Sequence, residues 1–258
     1  MILGILQARA NSSRLPNKIL LKIKEKTILE YELERILNSK KINKIIVATT
    51  TNKKDDEIVK ICQKMGVECY RGLENDVLHR FKMASDTTDA KTIVRLNSDC
   101  PLLDPLLIDD AIRLFLTNEY DYVSTLFPKT GSYPDGMSVE VFSKKILDKI
   151  FSESKRPSER EHVTPSIWNN PDKFKIKRME NKQNLSKYRF CLDYEEDFQL
   201  IKNVIENLWS NKPNFKLDEL IEWMEKNPDM FKINSQIKID EGWKRSIQKD
   251  KLEGFNQL

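Results

Sequence analysis

Two arginines, a lysine and two serines fall within twelve residues near the start of the chain, in QARANSSRLPNK at positions 7–18. The guanidinium forks of Arg9 and Arg14 and the ammonium of Lys18 supply charge, and Ser12, Ser13 and the backbone amides supply oriented donors. A triphosphate needs that combination. A solvated basic loop has the same composition, so position must choose between them. This loop directly follows residues 2–8, an apolar run suited to a buried strand. In open parallel sheets the ligand lies beyond the carboxyl ends of the strands. The spacing matches neither the P-loop nor the dinucleotide fingerprint, which sets aside Walker-type ATPase and Rossmann dehydrogenase chemistry.

Carboxylates recur at the ends of two other apolar segments. Asp99, in RLNSDCPLLDP at positions 95–105, follows a buried strand, where an acid can hold a magnesium ion. Asp193, in FCLDYEEDF at positions 190–198, precedes a helix and offers a second ligand from a distant segment. Asp104 before Pro105 reads as a helix cap. Arg95 either binds phosphate or braces its loop. Glu196 and Asp197 suit a first helical turn for dipole reasons and require no function.

The segment SYPDGMSVE, positions 132–140, is a turn by its chemistry. Its Asp135 and Glu140 either shape that turn or bind acceptor hydroxyls. SEREHVTP, positions 158–165, carries a capping box at Ser158 and Glu161 and one of the two histidines, His162. A lone helical histidine is more often structural. No hydrolase triad or histidine metal cluster is visible in this order of residues.

The elements that must position these groups follow a regular rhythm. Strands are expected at residues 2–8, 44–50, 68–71 and 92–96. Helices are expected after Thr27, from about Asp55, over 75–84 with Asn75 as cap, and after Asp104 to about 118. That order implies an α/β fold with a mostly parallel sheet covered on both faces. Beyond Tyr120 the rhythm changes. Short strands are expected at 121–125, 138–142, 175–179 and 189–192, with helices near 144–154, 158–169, 195–208 and 216–225. Residues 227–258 read as a charged C-terminal surface tail.

The 44 basic and 40 acidic residues are spread along the chain, which describes a solvated surface and not a nucleic-acid face. No run approaches a membrane span, and residues 1–6 lack the features of a signal peptide. The four cysteines lack CxxC spacing, which suggests free thiols in a reducing cytoplasm.

Taken together, QARANSSRLPNK, IIVATT, YRGLENDVLHRF, IVRLNSDCPLLDP, YPDGMSVEVF, SEREHVTP, FCLDYEEDF and INSQIKIDEGWKRS resemble the SpsF (spore coat polysaccharide biosynthesis protein F) family of cytidylyltransferases. The resemblance to acylneuraminate and deoxy-octulosonate cytidylyltransferases is more distant. It implies a three-layer α/β/α, GT-A-like nucleotidyltransferase fold over residues 1–226. An inserted dimerisation and acceptor region is implied at about 125–165. It also implies Mg²⁺ as cofactor and transfer of CMP from CTP to a sugar or sugar-acid acceptor, with release of pyrophosphate, for surface glycan synthesis.

By position, Arg9, Arg14 and Lys18 correspond to the triphosphate site, and Gln7, Ala8, Arg71 and Asp76 to nucleoside contacts. Asp99 and Asp193 correspond to metal ligands, and Asp135, Glu140 and His162 are the acceptor candidates. Asn11 and Asn17 stand where the family often carries glycine, and Cys191 stands where acylneuraminate relatives carry a further acid. A GT-A glycosyltransferase and a non-catalytic nucleotide-binding protein are the alternatives. Ser98-Asp99-Cys100 lacks the DxD pattern usual in the first.

Overall fold

The computed structural model describes residues 1–127, 131–237 and 241–255. Residues 128–130 of the expected inserted region, and 238–240 and 256–258 of the expected tail, lie outside them. Seven strands form one sheet: β1 (Ile2–Gln7), β2 (Lys44–Thr50), β3 (Glu68–Gly72), β4 (Thr92–Asn97), β5 (Tyr122–Ser124), β6 (Glu140–Ser143) and β7 (Ile176–Arg178). Their spatial order is β3-β2-β1-β4-β6-β5-β7, and only β6 runs against the rest. The order reverses between β1 and β4, where Gln7 lies beside Asn97. A crevice therefore opens at the ends of those two strands.

The strands alternate as buried strands must. Leu6, Val47, Val94 and Leu96 join one apolar layer, and Leu3, Ile5, Ile46 and Ile93 join the other. On the first face pack α1 (Ile28–Ile36), α2 (Asp56–Met65) and α4 (Pro105–Phe115). The other face carries α3 (Val77–Asp86), α5 (Lys144–Glu153), α6 (Pro157–His162) and α7 (Pro165–Trp168). α8 (Glu195–Val204) runs into a π turn at Ile205–Trp209 and, with α9 (Leu217–Lys226), returns to the first face. This is the expected three-layer α/β/α arrangement.

The N-terminal expectations hold to within about three residues. The Thr27/Glu30 capping box opens α1, and Gly66 closes α2 at a φ of 68°. Asp104 caps α4 by accepting from the Leu106 amide at 2.9 Å. The cap of α3, however, is Asp76 and not Asn75.

The C-terminal half departs further. The helix expected over 158–169 is broken at Val163, whose φ of 69° is unusual for a β-branched residue. Ser158 is no cap: its amide and hydroxyl both donate to Asp250. Residues 189–192 form no strand and make a single bridge to Asp135. Gly136 explains the crossing there, since a Cβ on it would sit 2.4 Å from the Phe190 carbonyl carbon. Nor does the final segment simply wrap the surface. After α10 (Pro228–Lys232), α11 (Glu241–Leu252) packs on α6. There Trp243 meets His162 and Trp168 edge-on, at 5.2 and 4.9 Å between ring centroids. Among the described residues no helix is long and apolar enough to cross a membrane. All four cysteines are unbridged.

Candidate active site

The loop after β1 is shaped by local rules. Asn17 takes the left-handed region, at a φ of 56°, which asparagine tolerates better than most residues. A tight turn over Lys18–Leu20 follows and buries Lys18. Asp55, itself buried, anchors the loop by accepting from the Ala10 amide at 2.8 Å and from Thr50. The loop forms one wall of a cavity of about 310 Å³ at the sheet's reversal point. Gln7, Ala8, Arg9, Arg14 and Lys18 line it, and Asn97, Ser98 and Asp99 form its floor. α3 contributes Val77 and Arg80, α6 contributes Glu161 and His162, and α11 faces the loop across the opening.

Three distant segments meet at Lys18. Its Nζ lies 2.8 Å from Asp99 Oδ2 and 2.9 Å from Asp193 Oδ1. Arg14 pairs with the same Asp193 oxygen. The second Asp193 oxygen accepts from Arg189 Nη2 at 3.0 Å, and Arg189 also pairs with Asp135 and Asp197. Burial opposes charge on both Lys18 and Asp193, and mutual attraction overrides it. Burial would lower the Lys18 pKa, but Asp99 and Asp193 hold it above its ordinary value. Burial would likewise raise the Asp193 pKa, but Lys18, Arg14 and Arg189 hold it below. Arg14 is shifted upward in the same way, burial being outweighed by Asp193. This is a charged cluster at neutral pH.

Several expected site residues are placed elsewhere. Arg71 does not line the cavity. It donates to the carbonyls of Thr50 and Asn52 at 2.9 and 2.8 Å and pairs with Asp56 at 2.7 Å, bracing the loop after β2. Asp76 is occupied as the α3 cap, accepting from the His79 amide at 2.8 Å and pairing with Arg160. Glu140 is fully buried among Arg95, Tyr122 and Thr164, so no acceptor can reach it. Asp135 holds Arg189, and the turn around it packs on the segment leading to Asp193. That turn shapes the metal-ligand candidate and does not line the cavity. Arg95 braces: it spans Glu140 and the Gln7 side chain. His162 does reach the cavity, with Nε2 2.9 Å from Ser246 Oγ. Burial, followed by the charges of Arg95 and Arg9 and against Glu161, pushes its pKa down to about 4.

Other residues matter more than their local sequence suggests. Asp197 is fully buried and accepts from Arg189, Asn234 and the amides of Asp193 and Tyr194. It is a structural hub, beyond the dipole role that its position suggests. Arg80 is buried, its guanidinium held by the carbonyls of Leu73 and Glu74. Asp197 owes part of its role to Asn234, 37 residues away, and Arg80 to backbone carbonyls 7 and 6 residues before it, contacts that no residue pattern announces.

A family model described as "Cytidylyltransferase" matches residues 3–234. An uncharacterized protein of Methanocaldococcus jannaschii is 40% identical over 239 residues, 92% of this chain and 96% of that protein. The spore coat polysaccharide biosynthesis protein SpsF of Bacillus subtilis is 30% identical over 235 residues, 88% of this chain and 95% of its own length. Among solved structures, a cytidylyltransferase from Leptospira borgpetersenii superposes with a TM-score of 0.85 at 35% identity, covering 92% of this chain and 98% of that one. On fold, sequence and extent together, this chain belongs to the cytidylyltransferase family of nucleotidyltransferases, enzymes that use CTP to transfer CMP.

Proposed function

We propose that the cavity between the loop after β1 and α11 is where CTP binds and where CMP passes to a sugar or sugar-acid acceptor. The product would serve surface-glycan synthesis, in keeping with the spore coat polysaccharide biosynthesis for which the B. subtilis relative is named. The observation that carries this reading is the convergence of three separate segments on one charged cluster: Arg14, Lys18 and Asp99 line the cavity, and the buried Asp193 pairs with Arg14 and Lys18 behind them.

The chemistry follows from those groups. An acceptor oxygen forms a new bond to the α-phosphorus of CTP as the bond to pyrophosphate breaks in line. Such a transfer needs the phosphates held in register and their growing charge neutralised. Arg9, Arg14 and Lys18 supply cations and Ser12 and Ser13 supply donors along one wall. Gln7 and Ala8 present the end of β1 to the nucleoside, and His162 faces them from α6.

The residues fit a hard divalent cation. Lys18 already shows that a single cation can bridge Asp99 and Asp193. The nearby thiols of Cys100 and Cys191 lie with Asp99 inside a 4.8 Å cluster, but they are poor ligands for such an ion. The hydrogen bond from Cys191 would lower the Cys100 pKa, yet burial and Asp99 push it up to about 12. Cys191 is raised well above its ordinary value by its hydrogen bond with Cys100 and by burial. Both stay protonated, which leaves the two carboxylates. Mg²⁺ held there would add phosphate neutralisation beside the basic loop. Lys18, released from its bridge, would then serve the phosphates.

The test is pyrophosphate release from CTP, GTP and UTP, each with Mg²⁺ and a panel of acidic and amino sugars. CTP alone should support release, and only with an acceptor present. Equal rates with all three nucleotides would remove the base preference. Absence of CTP binding by calorimetry would remove the whole reading. A homodimer through residues near 125–165, and a cytoplasmic setting, complete the proposal. Solution mass checks the first and cell fractionation the second.

A further inference from the structure

The family model ends at residue 234, and although the resemblance continues in INSQIKIDEGWKRS, α11 lies beyond that model and lines the same cavity. Its residues Gly242, Arg245, Ser246 and Lys249 recur at helical spacing and share one face. The helix is seated by other groups. Trp243 packs on His162 and Trp168, and the buried Asp250 accepts from both the amide and the hydroxyl of Ser158. It is therefore docked on one side and turned toward the cavity on another.

We propose that α11 completes the triphosphate site, with Arg245 and Lys249 binding phosphate oxygens of CTP from the wall facing Arg9. The inference rests on the cavity being the CTP site.

Three observations support it. First, the cavity is unbalanced. Among its described lining residues, Arg9, Arg14, Lys18, Arg80, Arg245 and Lys249 face only Asp99 and Glu161 as acids. Second, Arg9 and Arg80 lie close enough on this side for each to disfavour the other's charge. Burial, and then the Arg9 charge, push the Arg80 pKa down to about 10, and a bound polyanion would relieve that crowding. Third, one carboxylate ties α11 to the phosphate loop. Glu161 lies 3.6 Å from Arg9 through Oε1 and accepts from Ser246 Oγ at 2.9 Å through Oε2. The α11 face is thus placed beside Arg9, at the phosphate side of the cavity.

The experiment is calorimetric binding of CTP with Mg²⁺, and of pyrophosphate with Mg²⁺, to the full chain. The variants are Arg245→Gln with Lys249→Gln, each single change, and Lys244→Gln on the exposed face as control. The double variant should bind both ligands roughly tenfold more weakly, with a shallower salt dependence. Lys244→Gln should match wild type, and Arg245→Lys with Lys249→Arg should recover most of the loss. Far-ultraviolet dichroism and tryptophan fluorescence report whether α11 stays docked through Trp243. A docked double variant that binds CTP within twofold of wild type overturns the inference. So does unchanged CTP binding with a raised acceptor KM, which would assign α11 to the acceptor. If wild type itself binds no CTP, the inference and the function beneath it fall together.

Discussion

Among the described residues, two buried clusters pair cations with carboxylates and put the pairing to different uses. At the cavity, Lys18 bridges Asp99 and Asp193, and Asp99 keeps a quarter of its side chain exposed. Within the sheet, Glu140 of β6 is sealed with Arg95 of β4 and accepts hydroxyl hydrogen bonds from Tyr122 at 2.6 Å and Thr164 at 2.5 Å. Burial, and then the Glu140 charge, push the Tyr122 pKa well above its ordinary value, so the hydroxyl stays a donor. In the sealed cluster both Glu140 oxygens have partners within the protein, although the buried Arg95 Nε has none. The open one has a cation that a ligand can compete for. Access, more than composition, separates a site from a strut.

The largest test of this contrast is Asp99→Asn. Lys18 keeps Asp193 as partner, so folding should survive with little change in melting temperature. Turnover should fall by at least about 1,000-fold if Asp99 holds the proposed Mg²⁺, because a ligand and its charge would be removed together. Pyrophosphate release and a thermal melt on the same preparation check it. Normal turnover in a folded variant would strip Asp99 of its role.

Glu140→Gln should do the reverse. Removing one partner of a sealed ion pair leaves Arg95 charged, buried and uncompensated, at a cost of about 3 kcal/mol or more. Denaturant unfolding should show that loss, while CTP affinity per folded molecule stays near wild type. A large fall in CTP affinity without a stability loss would mean that Glu140 is a binding residue after all.

These two clusters also show what was legible in the chain. The N-terminal half could be read because its strands alternate and its helices carry local caps such as Thr27/Glu30, Gly66 and Asp104. Asp99, Lys18 and Arg14 could be picked out because strand ends mark them. Glu140 misled because a carboxylate beside a turn looks exposed, whereas its partners Arg95 and Thr164 lie 45 and 24 residues away. Long-range pairing of this kind leaves no periodicity. The same holds for Arg189 with Asp135, and for α11, whose charged sequence conceals the Trp243 and Asp250 anchors that seat it.

His162 stands between the clusters, in the cavity wall but under the influence of Arg95 and Arg9. Its folded pKa of about 4 lies below the ordinary 6.5. As pH falls from 6.5 toward 4, the unfolded chain takes up a proton that the folded one refuses. His162 therefore contributes stability above 6.5 and loses it progressively across that window. Urea unfolding from pH 7 to 4.5 should show a slope that His162→Gln reduces. An unchanged slope would mean that the ring protonates normally in place.

The smallest expected effect is at Arg71, which the family resemblance assigns to the nucleoside and the structure to a loop brace. Its guanidinium holds the Thr50 and Asn52 carbonyls and Asp56, which run from the end of β2 to the start of α2, none of them on the cavity wall. Because the site is partly exposed, Arg71→Gln should cost about 1 kcal/mol or less of stability. CTP affinity should stay within about twofold of wild type, against the tenfold or more expected where a charged contact to bound nucleotide is lost. Calorimetry separates these outcomes cleanly. A tenfold loss would mean that Arg71 leaves the loop and turns to the nucleotide on binding, and the cavity would then extend past β2.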